Sequence, residues 1–515
     1  MPVRDLPVRP DLEQLKRQAK ELLAAIREGQ PEALAELAAH HPESIDPPRA
    51  KLADAQLLLA RSYRASSWPR LVQACRLIDA IWRDDLDAVH ALVTRNPALL
   101  HESATIRDSD WGPPMSYAAN LGRDRIIRML AELGAKDFAH ALGRAALQGQ
   151  VNTGVLLYEL MGRPPMPDGA LAGPAYTLSV PGTRFALEVG ARVVDERGRR
   201  LAPADVVLET DSRDPAAKHA ILELYVAHGL ELPDTPMMAL HLGRVDLLEE
   251  HLLRDPGLVH RTFSHEEIYP PEIGCHDEVL ATHGTPLAGT TLLHLCVDYD
   301  EYEIAQWLIE RGANVNARAE VDRDGFGGHT PLFGAVVSQP NFWMNYGHRP
   351  KQARFAQLLL DHGADPNARA TLRKRMHPGY GDDRLHEYHD VTPLRYGARF
   401  SHRLFVNKGA MELILSSGGE LPDGPDQAET WAEAAATREV QIPNPIEIFG
   451  RRFVVVRRPD GWAVHHPGDE GRRGPELEVP IPHDVLTPAV LRDYLADVCH
   501  EWATPEQPRV RWLDS

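Results

Sequence analysis

The sequence predicts an all-α solenoid of about eight to ten stacked helix pairs, followed by a small α+β domain. Three observations predict this fold. The segment 289–421 holds three similar copies of one helix pair, weaker copies of the same form precede it, and the repeat pattern stops near residue 425. Because one helix pair cannot bury its apolar faces alone, the copies must stack into an elongated core.

The three copies share the chemistry of their helix ends. The first reads GTTLLHLC and then EIAQWLIERGANVNARA, the second GHTPLFGAV and then RFAQLLLDHGADPNARA, and the third DVTPLRYGA and then GAMELILSSGG. A threonine followed by proline, as at Thr330 and Pro331, is typical of a capped helix start. A glycine that can adopt the left-handed conformation is expected to end each second helix, at Gly312, Gly363 and Gly418.

These copies resemble ankyrin repeats, with TLLH at Thr291–His294 standing where that family has a TPLH motif. The resemblance implies an all-α ankyrin-repeat solenoid that binds proteins through its finger loops and through a concave face lined by the first helices. His294 is then expected to be a buried, hydrogen-bonded spacer. The amphipathic leader, whose first helix begins at Asp11, resembles the leader of many bacterial ankyrin-repeat proteins.

We divide the chain into a helical leader or capping region at 1–75, a repeat array at 76–425, a linker at 426–443 and a small domain at 444–515. Insertions are expected at 193–216, 261–288, 338–352 and 371–390, the first of them strand-like at VVLET. In the last domain apolar and polar residues alternate, and Asp460-Gly461 marks a turn. This pattern predicts a β-meander followed by a helix. It resembles a short bacterial domain of unknown function, a resemblance that brings no activity with it.

Composition excludes several classes of partner. Lys and Arg number 56 and Asp and Glu 74, so the net charge of −18 repels phosphate backbones and anionic membrane surfaces. We therefore expect neither nucleic acid nor membrane as a partner. No run of 18 apolar residues occurs, and the four cysteines are widely spaced without a CxxC pair. These features predict a cytoplasmic protein, which we expect to be a monomer.

The sequence assigns no catalytic residue, because it contains none of the GxSxG, GxGxxG, GxxxxGK[ST] or HExxH motifs. It favours a non-enzymatic scaffold that binds a protein partner of unknown identity. No cofactor is predicted, although the histidines of the finger loops keep a bound divalent metal as an alternative.

Aromatic residues crowd the insertion 338–352, where Trp343 and Tyr346 stand near His348. Solvated loops rarely carry so many aromatic side chains, and two interpretations remain. The aromatics either fold back as local core or form a hot spot for a partner. The candidate partner-binding or ligand-binding residues are these three together with His276 and His283.

Histidines are concentrated in the finger insertions 261–288 and 371–390, which hold six in 48 residues where uniform composition gives about two. His386, His389 and Asp390 could present two ring nitrogens and an oxygen on a turn, a ligand set suited to zinc, iron or manganese. The alternative function is therefore a metal-dependent enzyme or ligand-binding protein with a histidine-rich site in the last repeats. We expect one concavity, with pH-sensitive binding between about pH 5 and 8, to be lined by His276, His283, Trp343, His348, His386, His389 and Asp390, with His402 as a contributor.

Overall fold

The computed structural model describes residues 6, 8–41, 45–106, 110–210, 212–280, 284–339, 353–376, 384–402, 405–420, 444–448, 451–458, 461–467, 473–476, 492, 495 and 510–512. The chain divides into two compact units. The first comprises Met1–Pro393 with Ser401–Ser417, and the second Leu394–Phe400 with Gly418–Ser515. Among the described residues, no helix combines the length and apolar character needed to cross a bilayer.

Helices dominate the described residues from Leu12 to Ser416. In chain order they are α1 (Leu12–Arg27), α2 (Pro31–His40), α3 (Leu52–Ser62), α4 (Trp68–Trp82), α5 (Leu86–Arg95), α6 (Pro114–Asn120), α7 (Asp124–Glu132), α8 (Phe138–Leu147), α9 (Val151–Leu160), α10 (Ala172–Tyr176), α11 (Val180–Glu188), α12 (Ala204–Glu209), α13 (Pro215–Ala227), α14 (Pro236–His241), α15 (Val245–Arg254), α16 (His265–Ile268), α17 (Leu292–Tyr299), α18 (Tyr302–Glu310), α19 (Pro331–Val336), α20 (Arg354–Asp361), α21 (Pro393–Arg399) and α22 (Lys408–Ser416). Short 3₁₀ turns lie at Pro47–Arg49, Pro97–Leu100, Leu258–His260 and Pro271–Ile273.

Strands form three small antiparallel sheets. They are β1 (Thr262–Phe263), β2 (Thr290–Thr291), β3 (Ala370–Arg375), β4 (Leu385–Val391), β5 (Asn444–Ile448), β6 (Arg451–Arg458), β7 (Gly461–Pro467), β8 (Arg473–Glu476) and β9 (Val510–Trp512). β1 pairs with β2 and β3 with β4, whereas the five strands of the second unit have the order β8-β7-β6-β5-β9. The predicted meander is present in β5–β8, and β9 extends it on the far side of β5.

Helix ends follow the local signals of the sequence. The Asp11 side chain accepts hydrogen bonds from the backbone N–H groups of Glu13 and Gln14, so it caps α1 as expected. The three glycines expected after second helices, Gly312, Gly363 and Gly418, have φ of 91°, 84° and 88°. These left-handed values confirm that glycine ends α18, α20 and α22.

The prediction of a strand at VVLET (206–210) is wrong, because Val206 to Glu209 lie in α12. Ala204, Val207 and Leu208 are buried on this short helix, a spacing of three and four residues that a helix places on one face. Packing against neighbouring helices therefore outweighs the β-propensity of two adjacent valines.

The apolar core of the first unit is continuous from the leader into the repeats. Leu15 and Ala19 of α1 belong to the same cluster of buried side chains as Ile78, Tyr117 and Phe185. The leader helices thus close the end of the stack by burying apolar surface that the first helix pairs would otherwise expose.

The finger loops of the later repeats are joined by backbone hydrogen bonds. The Gly289 N–H donates to the Phe263 carbonyl at 2.8 Å, and the Glu320 N–H donates to the Gly289 carbonyl at 2.8 Å. Gly327 and Thr371 form the next bridge, and β3 then pairs with β4. The insertion 371–390 is therefore largely a β-hairpin, and a ladder of extended segments links three fingers.

His294 occupies the position expected of a core spacer. Its side chain is 4% exposed, its Nδ1 lies 2.9 Å from the Thr291 hydroxyl, and its Nε2 lies 3.2 Å from the His329 carbonyl. Burial lowers the pKa of His294 to about 3 and that of His329 to about 4, so both rings are neutral at pH 7.

These buried imidazoles predict loss of stability in acid. Because the folded state resists protonation, the unfolded state binds more protons below pH 6.5, and stability falls as pH decreases from 6.5 towards 4. For His329 the loss amounts to roughly 3 kcal/mol. We expect His329→Gln to flatten the pH dependence of the free energy of unfolding, measured with urea, while His228→Gln, at an exposed position, leaves the slope unchanged. Equal slopes in the wild type and His329→Gln would contradict this expectation.

The finger of the second copy depends on Gly327, whose φ is 133° and where an added Cβ would lie 1.9 Å from the Glu320 carbonyl oxygen. Gly325 in the same finger has φ of 89°, but no atom within 4 Å of an added Cβ. We expect Gly325→Ala to cost only about 1 to 2 kcal/mol for its left-handed backbone. Gly327→Ala should cost more and should accelerate amide hydrogen exchange across 319–329. Equal exchange in the two variants would show that the close approach has no effect.

Candidate functional site

A groove of about 470 Å³ lies among the fingers of the later repeats. Three parts of the chain form its walls: residues 264–265, 279–280 and 286–289 at the insertion, the finger 320–329, and strand β3. Its lining residues are Ser264, His265, Val279, Leu280, Pro286, Ala288, Gly289, Glu320, Val321, Asp322, Phe326, Gly327, His329, Leu372 and Arg373. A volume of this size is in the range of small-ligand clefts and accommodates a few side chains of a partner.

The groove combines exposed apolar groups with fixed charges. Val279 and Val321 are 45% and 60% exposed, although large apolar side chains usually avoid water. The Arg373 guanidinium lies 4.8 Å from the centre of the Phe326 ring and donates to Asp322 at 2.6 Å. Arginine stacked on an aromatic ring beside exposed valines is a composition typical of protein-binding surfaces.

Two histidines hold the walls of the groove in place. His329 Nε2 lies 2.9 Å from the Pro286 carbonyl, and His265 Nε2 lies 2.6 Å from the Asp277 carbonyl. A carbonyl only accepts, so in each pair the ring nitrogen donates. The first hydrogen bond attaches the insertion to the repeat beneath it, and the second joins two parts of the insertion.

The first helices beneath the groove are not open to solvent. All eight residues of α17 are buried. The insertion covers them: the Tyr299 and Tyr269 hydroxyl oxygens lie 3.0 Å apart, and the Thr285 hydroxyl donates to the Val337 carbonyl at 2.9 Å. At Gly284 an added Cβ would lie 2.1 Å from Asp298 Oδ1, so only glycine allows this approach. The face that first helices normally present to a partner is here part of the core.

Charged residues are buried beneath the insertion. Arg213 Nη2 lies 3.0 Å from Asp298 Oδ2, and both side chains are almost fully buried. Glu301 Oε1 lies 2.8 Å from both Lys218 Nζ and His219 Nε2. Burial would raise the pKa of Glu301, but Lys218 and His219 outweigh it and lower that pKa. These pairs join the start of α13 to the end of α17.

Lys374 of β3 is also enclosed. Burial lowers its pKa to about 7, although the nearby carboxylates of Asp277 and Asp298 act in the opposite direction. Its neighbour Arg375 donates its backbone N–H to the Leu280 carbonyl at 2.9 Å. The hairpin therefore packs onto the insertion through the buried Lys374 side chain and through this backbone hydrogen bond.

The sequence pattern did not reveal this charged network. Asp298 lies four residues after His294 and hence on the same helix face, which is the signal that marks it as buried. Arg213 and Lys218 lie about 80 residues earlier, and local periodicity carries no information about that pairing.

The predicted metal ligands His386 and His389 are not brought together. They lie on strand β4 and not on a turn, and residues three apart on a strand point to opposite faces. His386 is in register with buried Lys374, whereas His389 is exposed and lies 3.1 Å from Glu387. Asp390, the third predicted ligand, pairs instead with Arg369.

The other predicted residues have separate surroundings. His389 lies beside the groove, since its ring centre is 5.6 Å from that of Phe326. His402 is half-buried against Phe405, and burial lowers its pKa. Trp343, Tyr346, His348 and His283 lie outside the described residues.

His276 meets two carboxylates that the sequence interpretation missed. Ligand atoms of Asp205, Glu209 and His276 all lie within 4.8 Å of one another. The signal was the spacing of four between Asp205 and Glu209, which places both on one helix face. Our interpretation of this segment as a strand concealed it.

The buried ion pair generates a prediction. Arg213→Met leaves Asp298 charged, buried and without its guanidinium, so we expect it to lower the free energy of unfolding by about 3 to 5 kcal/mol. Arg254→Met removes an exposed guanidinium that lies 3.4 Å from Asp234 and should change the free energy of unfolding little. Urea denaturation of both variants measures the difference. A similarly small effect for Arg213→Met would show that the buried pair makes no net contribution to the free energy of unfolding.

Comparison with known proteins supports the repeats and the C-terminal domain. The ankyrin repeat family matches residues 288–320 and 327–371, and a family described as a domain of unknown function (DUF7661) matches residues 445–514. No curated protein matches the chain. Among solved structures, the chain is similar to the human ASB11 ankyrin repeat domain, with 17% identity and a TM-score of 0.23 over 60% of this chain and 99% of that one. The two family matches show that this chain contains ankyrin repeats and a C-terminal DUF7661 domain.

Proposed function

We propose that this protein is a binding scaffold that holds a protein partner in the finger groove. Ankyrin repeats generally mediate protein–protein interaction. The observation that carries the proposal is the groove itself, where Val279 and Val321 are exposed beside Phe326. Exposed apolar side chains clustered in a cleft lose water when a partner covers them, which drives association.

The burial of the first helices supports the choice of the finger side over the concave face. With all eight residues of α17 enclosed, that helix offers no side chain to a partner. The fingers, in contrast, are linked through backbone hydrogen bonds into one ladder. A surface that is already ordered loses less conformational entropy on binding, so affinity per contact is higher.

The charges around the groove indicate the partner's chemistry. Glu320 and Asp322 line it, Asp324 adjoins it, and Arg373 pairs with both aspartates, at 2.6 Å and 3.2 Å. The residues that line the groove include two carboxylates and one guanidinium, so their net charge is negative. We therefore propose a partner segment that places an apolar side chain in the groove next to a basic one.

We further propose that the scaffold acts as a monomer in the cytoplasm and that it binds neither nucleic acid nor membrane. The net charge of −18 supports the exclusion of polyanionic partners. The described cysteines, Cys75, Cys275 and Cys296, are free thiols in the core, which fits a reducing compartment.

A pair of valine variants tests the groove. Val321→Asp places a charge in the groove, and Val226→Asp places the same charge on an outer position of α13 that is 46% exposed. Proteins that wild-type protein captures from native lysate should be identified and quantified with both variants. We expect recovery of a specific partner to fall at least about tenfold with Val321→Asp and to be retained with Val226→Asp.

Recovery of the partner by Val321→Asp at the wild-type level, or an equal loss of recovery with both variants, would contradict the proposal. Circular dichroism of both variants shows whether they remain folded. Both substitutions lie at exposed positions, so neither should alter the helix content.

A further inference from the structure

We infer that Asp205, Glu209 and His276 form a binding site for a divalent transition-metal ion of the zinc type. All three ligand atoms lie within 4.8 Å of one another. The residues come from two segments about 70 positions apart, α12 and the insertion, which only the fold brings together. Nothing in the proposed partner binding requires this site, and none of the three residues lines the groove.

Hydrogen bonds to the Glu209 carboxylate hold the site in position. Glu209 Oε1 accepts the backbone N–H groups of His276 at 2.6 Å and Asp277 at 2.9 Å. The other oxygen, Oε2, lies 3.4 Å from His276 Nδ1. One oxygen of the carboxylate therefore positions the loop, while the second faces the imidazole nitrogen.

The loop that carries His276 is shaped for this presentation. Ile273 and Cys275 are buried, so their packing fixes the chain on either side of Gly274. Gly274 has φ of 91°, and an added Cβ there would lie 2.1 Å from Arg200 Nη2. The chain then turns outward, and the His276 side chain is 80% exposed. A bound ion would thus have one side open to water or to a further ligand.

The distances suit a metal ion with little adjustment. Nitrogen and oxygen ligands lie about 2.1 Å from zinc, so two ligands of a tetrahedral ion are about 3.4 Å apart. The separation of 3.4 Å between Glu209 Oε2 and His276 Nδ1 already has this value. The limit of 4.8 Å for the whole set requires a movement of at most about 1.4 Å. The exposed His276 ring can make that movement by side-chain rotation.

The charges of the site favour a cation. Asp205 pairs through Oδ1 with Arg200 at 2.9 Å, so one guanidinium faces two carboxylates and the local charge is negative. One imidazole nitrogen with two carboxylate oxygens suits zinc-type ions better than calcium or magnesium, which prefer oxygen ligands alone.

Zinc titration of the full-length protein tests the inference. Protein made without a histidine tag is treated with EDTA, dialysed and titrated with ZnCl₂ by calorimetry. We expect one site with micromolar or tighter affinity. His276→Ala and Asp205→Asn should each weaken it at least tenfold, whereas His389→Ala, which removes another exposed imidazole, should leave it unchanged. Cobalt(II) replaces zinc as a spectroscopic probe, and its visible absorption should disappear with His276→Ala.

Two outcomes would overturn the inference. Either the wild-type protein binds zinc no more tightly than His276→Ala does, or His389→Ala loses as much affinity as His276→Ala. Because the His276 side chain is mostly exposed, its removal should not unfold the protein, and circular dichroism checks this. Glu209→Gln keeps an acceptor oxygen for the two backbone N–H groups and should still weaken zinc binding.

Discussion

The complete enclosure of α17 is the constraint on which the later repeats depend. Neighbouring first helices cover part of its surface, and the insertion 261–288 covers what a regular repeat would leave open. Enclosure leaves no solvent for the polar side chains of the helix, so each needs a partner within the protein. His294 finds Thr291 and His329, and Asp298 finds Arg213. The buried charges are thus a consequence of covering the helix.

The ion pairs also determine how neighbouring repeats are joined. Lys218 and His219 at the start of α13 reach Glu301 after α17, beyond the helix pair α14–α15. Gly243 lies in the turn of that intervening pair, and an added Cβ there would meet the His219 ring at 2.3 Å. Most repeats contact only their immediate neighbours, so stability is usually a sum of local terms. Here the His219 side chain reaches past the neighbouring repeat to Glu301 in the repeat beyond it. Three repeats are therefore coupled.

Because the insertion fills the inner face at α17, the open groove lies among the fingers. The fingers present the groove with its exposed valines, and the loop after Gly274 presents His276 beside two carboxylates. The groove lies among the fingers and the inserted chain, and the His276 cluster joins the insertion to α12. A rigid repeat scaffold with variable loops is a common way to add binding sites without altering the core, and the fold itself does not specify what is bound.

The sequence by itself determined the helix pairs, the glycines that end the second helices, the core position of His294 and the antiparallel pairing of β6 with β7. Each of these depends on residues a few positions apart, so periodicity and turn chemistry are sufficient. Only the tertiary structure decided that VVLET is helical, that β9 joins β5, that His386 and His389 lie on opposite faces of β4, and that Asp205 and Glu209 meet His276. These outcomes depend on contacts between segments far apart in the chain. Local sequence patterns contain no record of such contacts, because the energy that selects them comes from burial against distant residues.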